Sequence, residues 1–103
     1  MTASTRSNSS IDVRHNEAAH RFEAAVDGQL AHADYRLEGD VMRIFHTEVP
    51  SGFEGRGIAA RLVYAAFEHA REKGFKVLPA CSYVRDYVRR HPETQALLAP
   101  KAR

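Results

Sequence analysis

The amino-acid sequence predicts an α+β fold: an antiparallel meander, then one parallel β-α-β crossover, with the mixed sheet packed on one long amphipathic helix. Three observations carry this prediction. Apolar side chains alternate with polar ones through the first half, a 3.6-residue apolar period runs from Ala59 to Ala70, and a second short apolar run follows that helix directly.

Residues 1–10 are rich in Ser, Thr and Asn without periodicity, which predicts a disordered N-terminal tail; a single domain is expected over 11–103. A short extra strand is expected near Ile11 to Arg14. Phe22, Ala24 and Val26 alternate with Arg21, Glu23 and Asp27, and past the turn signal Asp27-Gly28 the residues Ala31, Ala33, Tyr35 and Leu37 alternate with His32, Asp34 and Arg36. Those are two strands of a hairpin. Glu38-Gly39-Asp40 makes the next turn, and Val41 to Val49 is a longer third strand stopped by Pro50. Ala59, Leu62, Val63, Ala66, Phe67 and Ala70 then share one helical face, with Arg61, Glu68, Arg71 and Glu72 on the other, so a helix is expected from about Arg56 to Lys73. Gly74 suits its left-handed C-terminal position. Phe75 to Ala80 follows as a short strand, and a strand–helix–strand unit of this length is a crossover, so this strand should lie parallel to Val41–Val49. Ser82 to Arg90 forms a second helix ended by His91-Pro92, and Ala96, Leu97 and Leu98 add a turn of helix to the C-terminal stretch.

Composition narrows the function. With 103 residues, 44% of them hydrophobic and 27% charged, the chain carries one packed core. A core of that size leaves modest stability, to which a bound ligand adds. The formal charge of +2, from 15 Lys+Arg against 13 Asp+Glu, is too small for a nucleic-acid binder, and no aromatic platform is interleaved with the basic residues. No apolar run reaches the length of a membrane span and MTASTRSNSS lacks the apolar centre of a secretory signal, so a soluble, cytoplasmic monomer or weak dimer is expected. The one cysteine, Cys81, excludes an intramolecular disulfide and a Cys-based zinc cage, and no metal is expected.

The loop Ser51 to Ala59 joins a strand to the start of the amphipathic helix. Gly55 and Gly57 allow a tight turn whose N–H groups point into one concavity, and the first helical turn adds unpaired N–H groups and the positive end of its dipole. Two readings stand: a phosphate or pyrophosphate cradle, or a tight turn and no more. A Gly-Lys-Ser/Thr ending is absent, and so is the third glycine of a dinucleotide fingerprint, which excludes those ATP and NAD sites.

Val49-Pro50 followed by Gly55-Arg56-Gly57-Ile58-Ala59, Leu62 and Val63 resembles the acetyl-coenzyme A loop of the GNAT superfamily of acyltransferases. That superfamily's pattern is Arg or Gln, two residues, Gly, one residue, Gly or Ala. Gly57 and Ala59 match it, whereas Glu54 departs from it, and an acidic side chain there must point away from a pyrophosphate. His46-Thr47-Glu48-Val49-Pro50, Ala65-Ala66-Phe67-Glu68-His69-Ala70 and Pro79-Ala80-Cys81-Ser82-Tyr83-Val84, followed by His91-Pro92, resemble the small GNAT-like N-acetyltransferases of roughly a hundred residues; the likeness spans about residues 10 to 95. The resemblance implies backbone of Val49 along the pantetheine arm. It implies N–H groups of Gly55, Arg56, Gly57, Ile58 and Ala59 on the pyrophosphate, with Ala60 and Ser82 beside them, and Cys81 close to the acyl thioester. Full-length members place two helices between their first two strands to help bind the acceptor, and this chain has no room for them.

Cys81 also stands at the C-terminal end of a parallel strand and before a helix, where a thiolate is stabilised; packing is the alternative. His46 and Glu48 share strand parity with Ile44, so a core-facing Ile44 would put His46 on a covered face; either residue is a candidate base for an ammonium, or an ordinary strand residue. Tyr83 is a candidate acid for the departing thiolate, or core with Val84 and Tyr87. Arg85, Arg89 and Arg90 either reach an outer phosphate or form a solvated face. Two functions are expected to compete: an acetyl-coenzyme A-dependent N-acyltransferase acting on a small-molecule or peptide primary amine, directly or through an acetylated Cys81, and a non-catalytic module that binds or senses coenzyme A or acyl-coenzyme A.

Overall fold

Five strands and two helices follow one another in the order the sequence predicts, β1 (Val13–Asn16), β2 (Arg21–Val26), β3 (Gln29–Glu38), β4 (Val41–Glu48), α1 (Ile58–Lys73), β5 (Lys76–Pro79) and α2 (Ser82–Arg90), with a 3-10 helix over Pro92–Leu97. The computed structural model describes residues 11–100, so the expected N-terminal tail lies outside the described residues. The strands form one sheet in chain order, β1-β2-β3-β4-β5. The first three pairings are antiparallel, and β4 pairs with β5 in parallel as the crossover requires. The extra strand falls at Val13–Asn16, slightly beyond Ile11 to Arg14.

Alternation decides which face is covered. Phe22, Ala24, Ala31, Ala33, Tyr35, Met42 and Ile44 are all buried on one side of the sheet. Against them pack Leu62, Val63, Ala66 and Phe67 of α1, Val77 of β5, and Val84, Tyr87 and Val88 of α2, in one apolar cluster. Phe67 and Tyr87 stack at 5.9 Å where the two helices meet. Removing this apolar area from water is the main drive for folding. The other face of the sheet is polar and carries Glu23, His32 and Asp34.

The β2–β3 hairpin turns on Asp27 and Gly28, both at positive φ (50° and 76°), the backbone twist a two-residue connection favours. Gly74, at φ 76°, ends α1 and donates its N–H back to the Ala70 and Arg71 carbonyls. One irregularity overturns an expectation. Tyr35 pairs with Ile44, but Asp34 pairs with His46, leaving Phe45 as an extra residue in β4. The bulge reverses side-chain parity, so His46 and Glu48 lie on the face opposite Ile44 with side chains 49% and 60% exposed, and the expected covered position of His46 is wrong. Thr47 takes the inward direction instead, opposite Ala33.

Candidate functional site

Pro50 ends β4, and the chain turns sharply: Phe53 donates its N–H to the Pro50 carbonyl at 3.1 Å, and Gly52, Gly55 and Gly57 all adopt left-handed φ of 91°, 81° and 79°. Gly57 is the N-cap of α1. The first helical N–H to find a carbonyl is that of Arg61, which donates to Gly57 at 3.1 Å, so the amides of Ile58, Ala59 and Ala60 have no partner within the helix. No acidic residue occupies the first turn and no side chain caps it, which leaves the positive end of the dipole open to an anion. The Glu54 carboxylate stays beside this loop, its Oε1 accepting the N–H of Gly52 at 3.0 Å. Arg56 lies over the Phe53 ring, 5.0 Å from its centroid.

A cavity of about 340 Å³ opens here, lined by Thr47, Val49, Phe53, Glu54, Gly55, Gly57, Ile58, Ala59, Ala60 and Tyr83. It combines apolar walls with a concentration of backbone donors, which fits a partly apolar ligand bearing an anionic group. β4 and β5 part company beside it. Their pairing ends at Ile44 and Pro79, with the Ala80 N–H on the Ile44 carbonyl at 2.9 Å. From Phe45 to Glu48, β4 has β3 on one side and no strand on the other among the described residues.

Tyr83 reaches this cavity from the first turn of α2. Burial raises its hydroxyl pKa above the ordinary tyrosine value; Arg90 opposes the shift and Asp86 reinforces it. Cys81 is the N-cap of α2, half-buried, its carbonyl accepting the Arg85 N–H at 3.0 Å. No imidazole or carboxylate hydrogen-bonds its Sγ among the described residues. Arg89 and Arg90 are held by Asp86 at 2.8 and 3.3 Å, on the exposed side of α2.

The polar face of the sheet holds a second group. His46 Nε2 and Glu48 Oε1 are 3.0 Å apart, His32 Nδ1 and Asp34 Oδ1 are 2.8 Å apart, and His32 Nε2 lies 3.9 Å from Glu48. The hydrogen bond from His46 and the nearby His32 hold the Glu48 carboxyl below its usual pKa. Carboxylates and imidazoles thus alternate in the order Asp34, His32, Glu48, His46, a row of groups that can take up a proton.

Of the residues singled out from sequence, Val49, Gly55, Gly57, Ile58, Ala59, Ala60 and Tyr83 line one cavity. Arg56, Cys81 and Ser82 flank it in sequence without lining it, and His46 and Glu48 sit on the opposite face of β4. His32 and Asp34 escaped sequence reasoning. The register that pairs them with Glu48 and His46 depends on the bulge, and strand alternation carries no sign of it.

A family model described as GCN5-related N-acetyl-transferase matches residues 21–97. The protein NATD1 of Xenopus tropicalis is 36% identical over 92 residues, covering 86% of this chain and 84% of the relative. NATD1 of Homo sapiens is 33% identical over 90 residues, covering 84% and 80%. The NMR solution structure of a GCN5-like protein from Staphylococcus aureus superposes with a TM-score of 0.71 at 26% identity, covering 91% of this chain and 93% of that one.

Proposed function

The chain belongs to the GCN5-related N-acetyltransferase family, and from that premise we propose that it transfers an acetyl group from acetyl-coenzyme A directly to a primary amine. The observation that carries this reading is the convergence on one cavity of the residues whose amides α1 leaves unpaired, the left-handed Gly55 and Gly57, and Tyr83. Acetyl-coenzyme A, when bound, supplies an activated acyl thioester.

The amides of Gly55 to Ala60 bind and orient the diphosphate, Val49 offers its backbone to the amide-bearing arm, and Phe53 and Ile58 exclude water along the apolar wall. Beyond Ile44 the edge of β4 has no β5 partner, and this edge is the route we propose between the cavity and the polar face of the sheet. There His46, oriented by Glu48, takes the proton from the attacking ammonium, and Asp34 through His32 steadies the charge that results. Tyr83, held protonated by its burial, gives its proton to the departing sulfur. Among the described residues no base hydrogen-bonds the Cys81 thiol to take its proton, which favours direct transfer over a covalent route.

The Glu17–His20 turn alone joins β1 to β2, so no helices cover the acceptor side there. That observation favours a second reading, a coenzyme A-binding module without turnover. Calorimetric titration with acetyl-coenzyme A and coenzyme A, followed by thiol release against an amine and peptide panel, separates the two. Micromolar binding with thiol release that survives Cys81→Ser supports direct transfer. Release abolished by Cys81→Ser points to the covalent route, and binding without release supports the module. Absence of binding overturns both.

A further inference from the structure

A separate group of ligand-bearing side chains lies at the other side of the fold, where β1 meets α1. His15 projects from β1 and stacks on Phe22 with ring centroids 4.1 Å apart and planes inclined by 5°. His69 comes from α1 and meets the His15 ring edge-on at 4.4 Å. Glu17 enters from the turn after β1. One ligand atom from each of the three lies within 4.8 Å of the others.

What sets this group apart is that two of its three residues are uncommitted. Among the described residues, neither the His69 ring nitrogens nor the Glu17 carboxylate has a hydrogen-bond or ion-pair partner. His15 engages the Tyr35 hydroxyl through Nε2. In the tautomer whose Nε2 donates to the tyrosine oxygen, the lone pair lies on Nδ1, the arrangement of a metal-ligating histidine held through its far nitrogen. His15 and Glu17 also border a surface depression of about 380 Å³ with Arg14, Asn16 and Glu23, and Glu17 is exposed to solvent.

We propose that His15, His69 and Glu17 form a binding site for a divalent transition ion of the zinc type, with water completing its coordination. Two imidazole nitrogens and one carboxylate oxygen are the donor set of a three-ligand zinc site, whereas calcium and magnesium demand oxygen. Ligand atoms around a tetrahedral zinc stand roughly 3.3 Å apart, so binding would draw in the two imidazoles as well as the exposed Glu17 carboxylate from their present separations of up to 4.8 Å. Zinc would join β1, the first strand of the sheet, to α1, and the site is independent of the acyl-transfer reading.

The test uses the full chain without a polyhistidine tag. Zinc chloride is titrated by calorimetry and thermal shift, with magnesium chloride as the hard-cation comparison and cobalt chloride as a spectroscopic probe of geometry. The proposal expects one zinc per chain, a zinc-dependent rise in Tm, no response to magnesium and an intense visible cobalt band. Glu17→Gln, at an exposed turn position, and His69→Gln should each weaken zinc binding by about tenfold or more, while His46→Gln, in the other histidine pair, leaves it unchanged. Circular dichroism confirms that each variant is folded. The proposal is overturned by a lack of zinc uptake, or by uptake that survives both Glu17→Gln and His69→Gln. Loss of uptake on His46→Gln instead would assign the ion to the His32/His46 pair and overturn it equally.

Discussion

Phe45 has no partner across the β3–β4 ladder, and its insertion after Ile44 turns over every side chain that follows it in β4. It rests on the open face with the Arg36 guanidinium 5.6 Å from its ring centroid. Extending the register from the Gly39 turn without a bulge would set His46 against Ala33, pointing inward; with the bulge it meets Asp34. Alternation in the sequence reports period, not interruptions of it, and so the loop glycines and Tyr83 were legible while the side of the sheet occupied by His46 and Glu48 was not. The two faces make different demands at the residue level. Tyr83→Phe should lower kcat by about a hundredfold with little change in KM for acetyl-coenzyme A, because only the proton donor is lost. Since burial raises the phenol's pKa, its acid form persists beyond pH 10, and the wild-type kcat should show no fall from this group below that value. A descending limb well below pH 10 that disappears in Tyr83→Phe would contradict the assignment.

The element most fully legible was α1, because six apolar positions repeat with one period and Gly74 closes it. Its start was less so. The helix begins at Ile58 rather than near Arg56, since Gly57 at φ 79° stands outside helical backbone and the carbonyl it presents to Arg61 opens the ladder. A Cβ added at Gly57 would meet nothing within 4 Å, so a substitution there acts through conformation and not through a clash. Gly57→Ala should therefore lower stability by about 1 kcal/mol in chemical denaturation. It should weaken acetyl-coenzyme A binding more than that figure implies, because the amides of Ile58 to Ala60 shift with the cap. Equal losses in stability and affinity would mean that the loop is a turn and no more. The turn of helix expected around Ala96, Leu97 and Leu98 is found earlier and in 3-10 form, over Pro92–Leu97 with Leu98 outside it; the Thr94 hydroxyl donates to the His91 carbonyl at its start at 2.7 Å, a local bond without a periodic signature.

For the molecule as a whole, the sheet topology followed from one inference, that a strand, a helix and a strand in succession must cross over in parallel. What sequence left open was how the aromatic groups share the core. Tyr35, Tyr83 and Tyr87 all have hydroxyl pKa values raised chiefly by burial, so each is higher in the folded chain than in the unfolded one. Their contribution to stability is full below the unfolded value near 10 and is lost as pH rises through the folded values. Alkaline titration should show loss of far-ultraviolet circular dichroism in step with tyrosinate absorbance; tyrosinate formed without loss of structure would refute the coupling. At the far end, Leu98 bridges to Val77, Ala99 donates its N–H to the Val77 carbonyl at 2.8 Å, and the Lys76 ammonium holds the Ala96 carbonyl at 3.0 Å. This short contact occupies backbone groups of β5 that would otherwise be available to a strand from another molecule. Ending the chain after His91 should produce concentration-dependent self-association in size-exclusion chromatography. The last residues of the fold thus act as a stopper against polymerisation, keeping the sheet from growing beyond its fifth strand.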